Sequence, residues 1–401
     1  MNNAPLRIGD VIEITTERLA YGGDAIARYE GLAIFVPFAA PNERLLVRVT
    51  HLKKNFARAA VESVLRQSHS RREPRCQYFG SCGGCQLQHL TYHAQLEAKV
   101  GFVRDALERI GGLKWHYEIP ILNSDEFRYR GRAQIKIDHL NRRVGFNRAS
   151  TAEVCDIKTC PILVPELDET LQTIRGRAGE TYKKWEKSSP RSQIEIAAGD
   201  SGVSIEPALK GFPHSPVQRT VRGGTYRFGA ATFFQSNPAL LENLIEAAVG
   251  AESGELAIDL YAGVGLFSIQ LASRFNRVIG VESDKISAEF GFENVNANGL
   301  TNIEFHQSAV DAWLKRANKT SLMRADLVVL DPPRGGASEA LPGIIELEPS
   351  RITYVSCDPT TLARDLRVLI GSRYDVTGVT AIDLFPQTYH IETIIKLTRV
   401  E

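Results

Sequence analysis

The sequence predicts an α/β protein carried behind an amino-terminal β-barrel, with a mostly β segment between them. From about residue 255 onward, apolar runs of strand length alternate with helical stretches, the pattern of a parallel, doubly wound sheet. Residues 8–65 instead alternate apolar and polar side chains in short runs, broken by the turn signals Gly22-Gly23 and Pro41-Asn42. Between them, residues 119–228 are dominated by strand patterns, with one helical stretch after Pro165. A chain of 401 residues exceeds one compact core, and the divisions fall at 1–66, 67–228 and 229–401.

Within the last division the elements follow in order. "ELAIDLYAGVG" is a strand running into a glycine turn, and "LFSIQLASRF" the helix after it. "RVIGVES", "NIEFHQ", "DLVVLDPP" and "RITYVSCDP" are the next strands, with "DKISAEFGFENVNANG" a helix between the first two. The tail reads as two strands around a proline loop. Upstream, residues 90–112 place Leu96, Val100, Val103, Leu107 and Ile110 at helical spacing and stop at Gly111-Gly112. That helix is expected to pack on the third domain.

Composition is that of a soluble globular chain, 43% hydrophobic and 24% charged. The longest apolar stretch, "LAIFVPFAA", is too short to span a bilayer, and "MNNAPLRIGD" lacks the basic and apolar regions of a leader. A cytoplasmic monomer with no membrane partner is expected. Net charge is +1 but unevenly spread. Residues 51–76 carry +5 and residues 127–149 carry +6, which leaves −10 for the remainder. Two basic islands in neighbouring segments fit a polyanion, and nucleic acid is the expected partner.

Chemistry gathers at the predicted strand ends, where ligands of such sheets bind. "DLYAGVGLFS" turns through Gly263 and Gly265 into a helix, without the third glycine of a dinucleotide fingerprint or the lysine of a P-loop. Glu282 ends the next strand, where a carboxylate can accept from both hydroxyls of a ribose. A ribose without a pyrophosphate points to S-adenosylmethionine. Asp331 and Arg334 follow the fourth strand, Cys357 the fifth, and Glu392 the proline loop. A thiol and carboxylates beside a methyl donor suit methylation at carbon 5 of uracil. A thiolate added at carbon 6 makes carbon 5 nucleophilic, and a base then removes the carbon 5 proton. Cys357 fits the first role and Glu392 the second. Asp331 and Arg334 could hold the pyrimidine edge and balance the enolate.

"CQYFGSCGGCQLQH" holds Cys76, Cys82 and Cys85, and Cys155 or Cys160 could supply a fourth thiolate. In a chain expected in the cytoplasm, such clustering argues for metal over disulfides. The uneven spacing suits an iron–sulfur cluster better than the paired units of a zinc site.

Together, "DLYAGVGLFS", "LDPPRGG", "VSCDP" and "DLFPQTYHIE" resemble the RNA 5-methyluridine methyltransferases, a family of class I methyltransferases. "ATFFQSNP" is similar to the family's segment entering the catalytic domain, and residues 8–65 to a TRAM domain, an RNA-binding barrel. The resemblance implies a Rossmann-like class I fold, with Cys357 as nucleophile and Glu392 as base. It implies cofactor contacts at Gln235, Tyr261, Glu282 and Asp331. Leu266 stands where some members carry a polar residue touching the cofactor. Members with this cysteine pattern bind a [4Fe-4S] cluster through a fourth ligand that precedes a proline, which implies Cys160 and leaves Cys155 spare. The cluster is expected to be a structural staple. The implied target is a single-stranded or flipped uridine, with Phe233, Phe234 or Phe385 as candidates to stack on it. A TRAM-like barrel with this cluster is typical of members acting on 23S ribosomal RNA, while others act on the T-loop of transfer RNA.

Other readings fare less well. A cytosine-5 methyltransferase would want a second cysteine near the site, and the catalytic half contains only Cys357. An inert iron–sulfur RNA-binding protein would have no use for Cys357, Glu392 and Asp331 together. A radical S-adenosylmethionine enzyme needs a different cysteine spacing.

Overall fold

The computed structural model describes residues 6–185, 191–317 and 324–400, so the first five of the amino-terminal residues read above lie outside it. Five strands, β1 (Val11–Leu19), β2 (Ala25–Tyr29), β3 (Leu32–Val36), β4 (Arg44–Leu52) and β5 (Phe56–Arg66), close into a barrel in the order β1-β2-β3-β5-β4. Their period-two pattern turns Ile12, Ile14, Leu45 and Val47 inward. Closure leaves no free edge.

Helix α1 (Tyr92–Arg109) starts at Thr91, whose hydroxyl accepts from the Ala94 N–H. Its buried face differs from the one the apolar spacing predicts. Gln95, Lys99, Phe102, Val103, Ala106 and Leu107 are buried, Leu96 and Val100 are half-buried, and Ile110 is 40% exposed. The reason is that α1 is wedged between two bodies. Phe102 enters the barrel core, Val103 and Leu107 enter the core of the large sheet, and the two polar side chains face a loop between them.

The central antiparallel sheet has the order β11-β10-β7-β8-β9. A short β6 (Ile121–Leu122) precedes it, and the sheet begins with β7 (Arg132–Asp138), β8 (Arg143–Asn147) and β9 (Val154–Asp156). Helix α2 (Pro165–Trp185) follows, then β10 (Arg191–Ala198) and β11 (Val203–Glu206). Leu167, Leu171 and Ile174 of α2 cover one face. A hairpin of β12 (Val217–Val221) and β13 (Gly224–Phe228) comes next.

The third body opens with α3 (Leu241–Ala248), β14 (Gly254–Leu260), α4 (Leu266–Leu271), β15 (Phe275–Glu282), α5 (Lys285–Ala297) and β16 (Ile303–Gln307). It continues with α6 (Val310–Ala317), β17 (Leu327–Leu330), α7 (Leu341–Glu346), β18 (Arg351–Ser356), α8 (Pro359–Ile370), β19 (Tyr374–Ile382) and β20 (Glu392–Arg399). The sheet order is β16-β15-β14-β17-β18-β20-β19-β6. Strands β14 to β18 run parallel, and β20 runs antiparallel to both β18 and β19. From Leu256, Leu327 and Ile352 onward the central strands are buried because both faces are covered. Residues 67–228 lend three pieces to this body. These are α1, the edge strand β6 paired with β19, and the β12–β13 hairpin, whose Tyr226 and Phe228 sit in its core. Among the described residues no helix is long and apolar enough to cross a membrane.

Candidate active site

Register brings the predicted site residues together. Leu260 of β14 pairs with Val281 of β15 and Leu330 of β17, and Leu330 pairs with Tyr354 of β18. Tyr261, Glu282 and Asp331 therefore emerge at one level, beside the point where strand order reverses between β14 and β17, and Cys357 follows two residues further out, just past β18. On the antiparallel partner, Ser356 faces Thr393. The next residues outward, Cys357 and Glu392, thus oppose each other across the open end of the sheet.

Local chemistry ends each strand where it must. Asp358 caps α8, its carboxylate accepting from the Thr360 and Thr361 N–H groups at 2.8 and 3.2 Å, and Pro359 occupies the first helical position. That cap fixes Cys357 between the end of β18 and the capping residue. Pro332 and Pro333 stop β17 just beyond Asp331. Tyr261 takes a left-handed φ of 63°, unusual for an aromatic residue, at the entrance to the glycine turn. Asp259, fully buried, shapes that turn by accepting from the N–H and hydroxyl of Ser268 at 2.8 and 2.6 Å.

A cavity of about 660 Å³ opens over these ends, and Gln235, Tyr261, Gly263, Glu282, Asp331, Arg334, Cys357 and Glu392 all line it. Gly265 does not. It precedes α4 at φ 90° and serves the turn, where a side chain would be strained. Leu266 does line the cavity. Of the aromatic candidates, Phe233 is 61% exposed and Phe385 half-buried. All three line the cavity, and Phe234, which is buried, is also stacked on Phe228 at 4.3 Å. His390 belongs to the lining and was passed over in the sequence, although it lies in the same motif as Glu392.

The electrostatics divide the cavity. Glu282 is held by the Gly263 N–H at 2.8 Å and the Asp284 N–H at 2.6 Å, with lone pairs left over for a ligand. Gln235 donates to Asp331 at 3.3 Å. Burial, then the charge of Asp259, pushes the Asp331 carboxyl up to about 7. Burial and the charge of Asp331 hold Glu392 well above the usual carboxylate range, and its Oε1 has no partner. Burial, then Glu392 and Asp331, pushes the Cys357 thiol up to about 12, against the pull of the Arg334 guanidinium. Arg334 donates to His390 Nε2 at 3.1 Å. Burial and that guanidinium push His390 down to about 3, so the ring accepts as neutral imidazole.

The upstream cysteines meet as well. Cys76, Cys82, Cys85 and Cys160 line a second cavity of about 330 Å³, with Arg130, Lys136 and Arg148 among its lining. Cys155 is buried in the central core and does not line it. Burial pushes Cys82 up to about 11, and Cys85 and Cys160 to about 12. Among the described residues, no three side chains are placed to hold a single metal ion. The basic islands are partly consumed inside the protein. Arg71 pairs with the buried Glu43, Arg72 pairs with Glu126 at 2.5 Å, and Arg132 donates to the carbonyls of Ala230 and Thr232. Lys53, Lys54, Arg66, Arg75, Arg128 and Arg142 remain exposed, and Arg75 lies over the Phe127 ring at 4.7 Å.

Residues 217–400 match the family model of the tRNA (uracil-5-)-methyltransferases, and residues 5–61 that of the TRAM domain. An uncharacterized RNA methyltransferase of Aquifex aeolicus is 33% identical over 422 residues, spanning 96% of this chain and 98% of its own. A second, from Halalkalibacterium halodurans, is 31% identical and spans 98% of both chains. Among solved structures, the Pyrococcus abyssi tRNA (uracil-54, C5)-methyltransferase in complex with S-adenosyl-L-homocysteine is similar with a TM-score of 0.72 at 25% identity. That match covers 96% of this chain and all of the other.

Proposed function

Because the chain belongs to the RNA (uracil-5-)-methyltransferase family, we propose that it methylates carbon 5 of one uridine in RNA through a covalent adduct on Cys357. The observation that carries this reading is the placement of Cys357 opposite Glu392 in the cavity that Glu282 and the glycine turn also line. The Cys357 thiolate adds to carbon 6 of the uracil ring, and the electron pair moves to carbon 5 and the neighbouring carbonyl. Arg334 offsets the enolate charge. When bound, S-adenosylmethionine supplies the methyl electrophile. Glu392 then takes the carbon 5 proton, the 5,6 double bond re-forms, and Cys357 leaves as thiolate. Glu282 is suited to ribose hydroxyls, Tyr261, Gly263 and Gln235 to the rest of the donor, and Phe233 or Phe385 to stacking on the flipped base.

Cys76, Cys82, Cys85 and Cys160 fit a [4Fe-4S] cluster. A cluster takes one thiolate at each of four irons, so its ligands surround a space rather than converge on a point. Thiols this buried are costly to ionise unless a metal centre compensates them. The pattern favours 23S ribosomal RNA as substrate and a cytoplasmic monomer as the acting form. The architecture shared with a tRNA (uracil-54, C5)-methyltransferase favours a second reading, the T-loop of transfer RNA. Mass spectrometry of both RNAs from a strain lacking the gene, against its parent, decides between them. Loss of one methyl group from a uridine in a 23S fragment supports the first reading, and loss from the T-loop the second. No change in either RNA would contradict both.

A further inference from the structure

The loop between β19 and β20, residues 383–391, sends Phe385 and His390 into the active-site cavity. On its other side, the loop is bonded to the first third of the chain. Asp383 accepts from Lys99 at 2.5 Å and from the Tyr92 hydroxyl at 3.0 Å, and Lys99 also donates to the Phe385 carbonyl at 3.0 Å. Gln387 sits at the centre of this side, fully buried and at a φ of 69°. Its N–H donates to Gln95 Oε1 at 3.0 Å, and its carbonyl accepts from the Gln86 and Leu87 N–H groups at 2.9 Å. Its side-chain oxygen accepts from Gln95 at 3.0 Å and Arg72 at 3.3 Å. Its Nε2 donates to Glu126 Oε2 at 2.9 Å.

A non-glycine residue in the left-handed region persists only where its surroundings over-determine it. Here the domain linker, the cysteine loop, α1 and residue 126 all do so. The constraint passes to the cavity through Thr388, whose hydroxyl donates to the Phe385 carbonyl at 2.8 Å and accepts from the His390 N–H at 3.2 Å. His390 in turn accepts from Arg334.

We propose that Gln387 is a positioning residue for the methylation reaction. It fixes the Phe385–His390 wall, and through His390 the Arg334 guanidinium that faces Cys357. The wall against which the target base lies is thereby set by parts of the chain remote from the catalytic half. This inference rests on the reading of Cys357 and Arg334 given above.

A polarity swap tests it. Gln387→Glu keeps size and the oxygen that accepts from Gln95, but sets a carboxylate against Glu126. In the double variant Gln387→Glu/Glu126→Gln, a donor and an acceptor face each other again. At saturating RNA, the single variant is expected to lower kcat about 10- to 100-fold, with the KM for S-adenosylmethionine unchanged. The double variant is expected to recover to within about threefold of the parent. Should the single variant fail to fold, Arg72→Ala removes one bond to Gln387 and both bonds to Glu126, its neighbour in the network, and is expected to lower kcat in the same direction; an unchanged kcat there would equally overturn the proposal. An unchanged kcat in the folded single variant would overturn the proposal, as would a loss that the swap does not repair. Cys357→Ala, run alongside, separates the two readings. Methylation that survives it removes the mechanism beneath the proposal, whereas its loss beside a fully active Gln387→Glu removes the positioning role alone.

Discussion

In the proposed reaction, Cys357 starts as the thiol. Burial and the neighbouring carboxyls push the thiol up to about 12, and Arg334 pulls only part of the way back. The thiol proton therefore leaves only as the sulfur adds, passing in this scheme to the neighbouring Asp331 carboxylate. That keeps Glu392 free for the carbon 5 proton, and Asp331 returns its proton when Cys357 is released. Cys357→Ala is expected to abolish methylation while leaving S-adenosylmethionine affinity, measured by calorimetry, almost unchanged. A loss of cofactor affinity would move Cys357 out of the nucleophile's role. The carboxyls set the pH dependence. Glu392 works as a base only when ionised, and its carboxyl is held above the usual range, beside an Asp331 raised to about 7. Protonation on the acid side removes the base, so kcat/KM should fall as pH drops, well before an ordinary carboxylate would titrate at about 4.3. With the thiol near 12, the profile should have no alkaline limb from Cys357 below that pH. A pH–rate profile flat from about 5 to 8 would contradict this assignment.

At the scale of elements, the strand ends were legible in the sequence because each is marked chemically. Asp-Pro after Cys357, Pro-Pro after Asp331 and the glycines after Tyr261 all announce where a strand stops. Parallel register then aligns those marks without further information. Helix α1 was only half legible. Its apolar spacing pointed to one buried face, and its position between two bodies buries Gln95 and Lys99 as well, because their partners lie almost 300 residues away in the 383–387 loop. Gly265 stands outside the cavity lining for a related reason: a motif gives proximity to a site, while packing decides which neighbour faces it. The Lys99–Asp383 pair is fully buried. Lys99→Met leaves that carboxylate without its cation and should destabilise the protein by about 3–5 kcal/mol in denaturant titrations. A loss below about 1 kcal/mol would show that Tyr92 alone suffices for Asp383.

The whole molecule is organised around the catalytic end of one sheet. Arg132 of the central sheet holds the carbonyls of Ala230 and Thr232, just ahead of Gln235, and the cysteine loop holds Gln387. The central domain, and the barrel through Tyr21 packed edge-on against Tyr389 at 5.4 Å, therefore do more than present exposed basic residues. They brace the two loops that flank the cavity. If the four cysteines carry a cluster, anaerobically purified protein should contain iron and sulfide in equal amounts. Serine at Cys76, Cys82, Cys85 or Cys160 should lower both, while Cys155→Ser should not. Equal loss on changing Cys155 would contradict the ligand set.

The central claim is a covalent bond between Cys357 and the uracil ring. Glu392→Gln allows addition and methyl transfer but withholds the base that completes elimination, so the RNA should stay attached. The decisive measurement is mass spectrometry of the peptides from this variant after incubation with S-adenosylmethionine and substrate RNA. The expected product is a methylated uridine on the peptide that contains Cys357. Turnover by Glu392→Gln without an adduct, or an adduct on another residue, would contradict it.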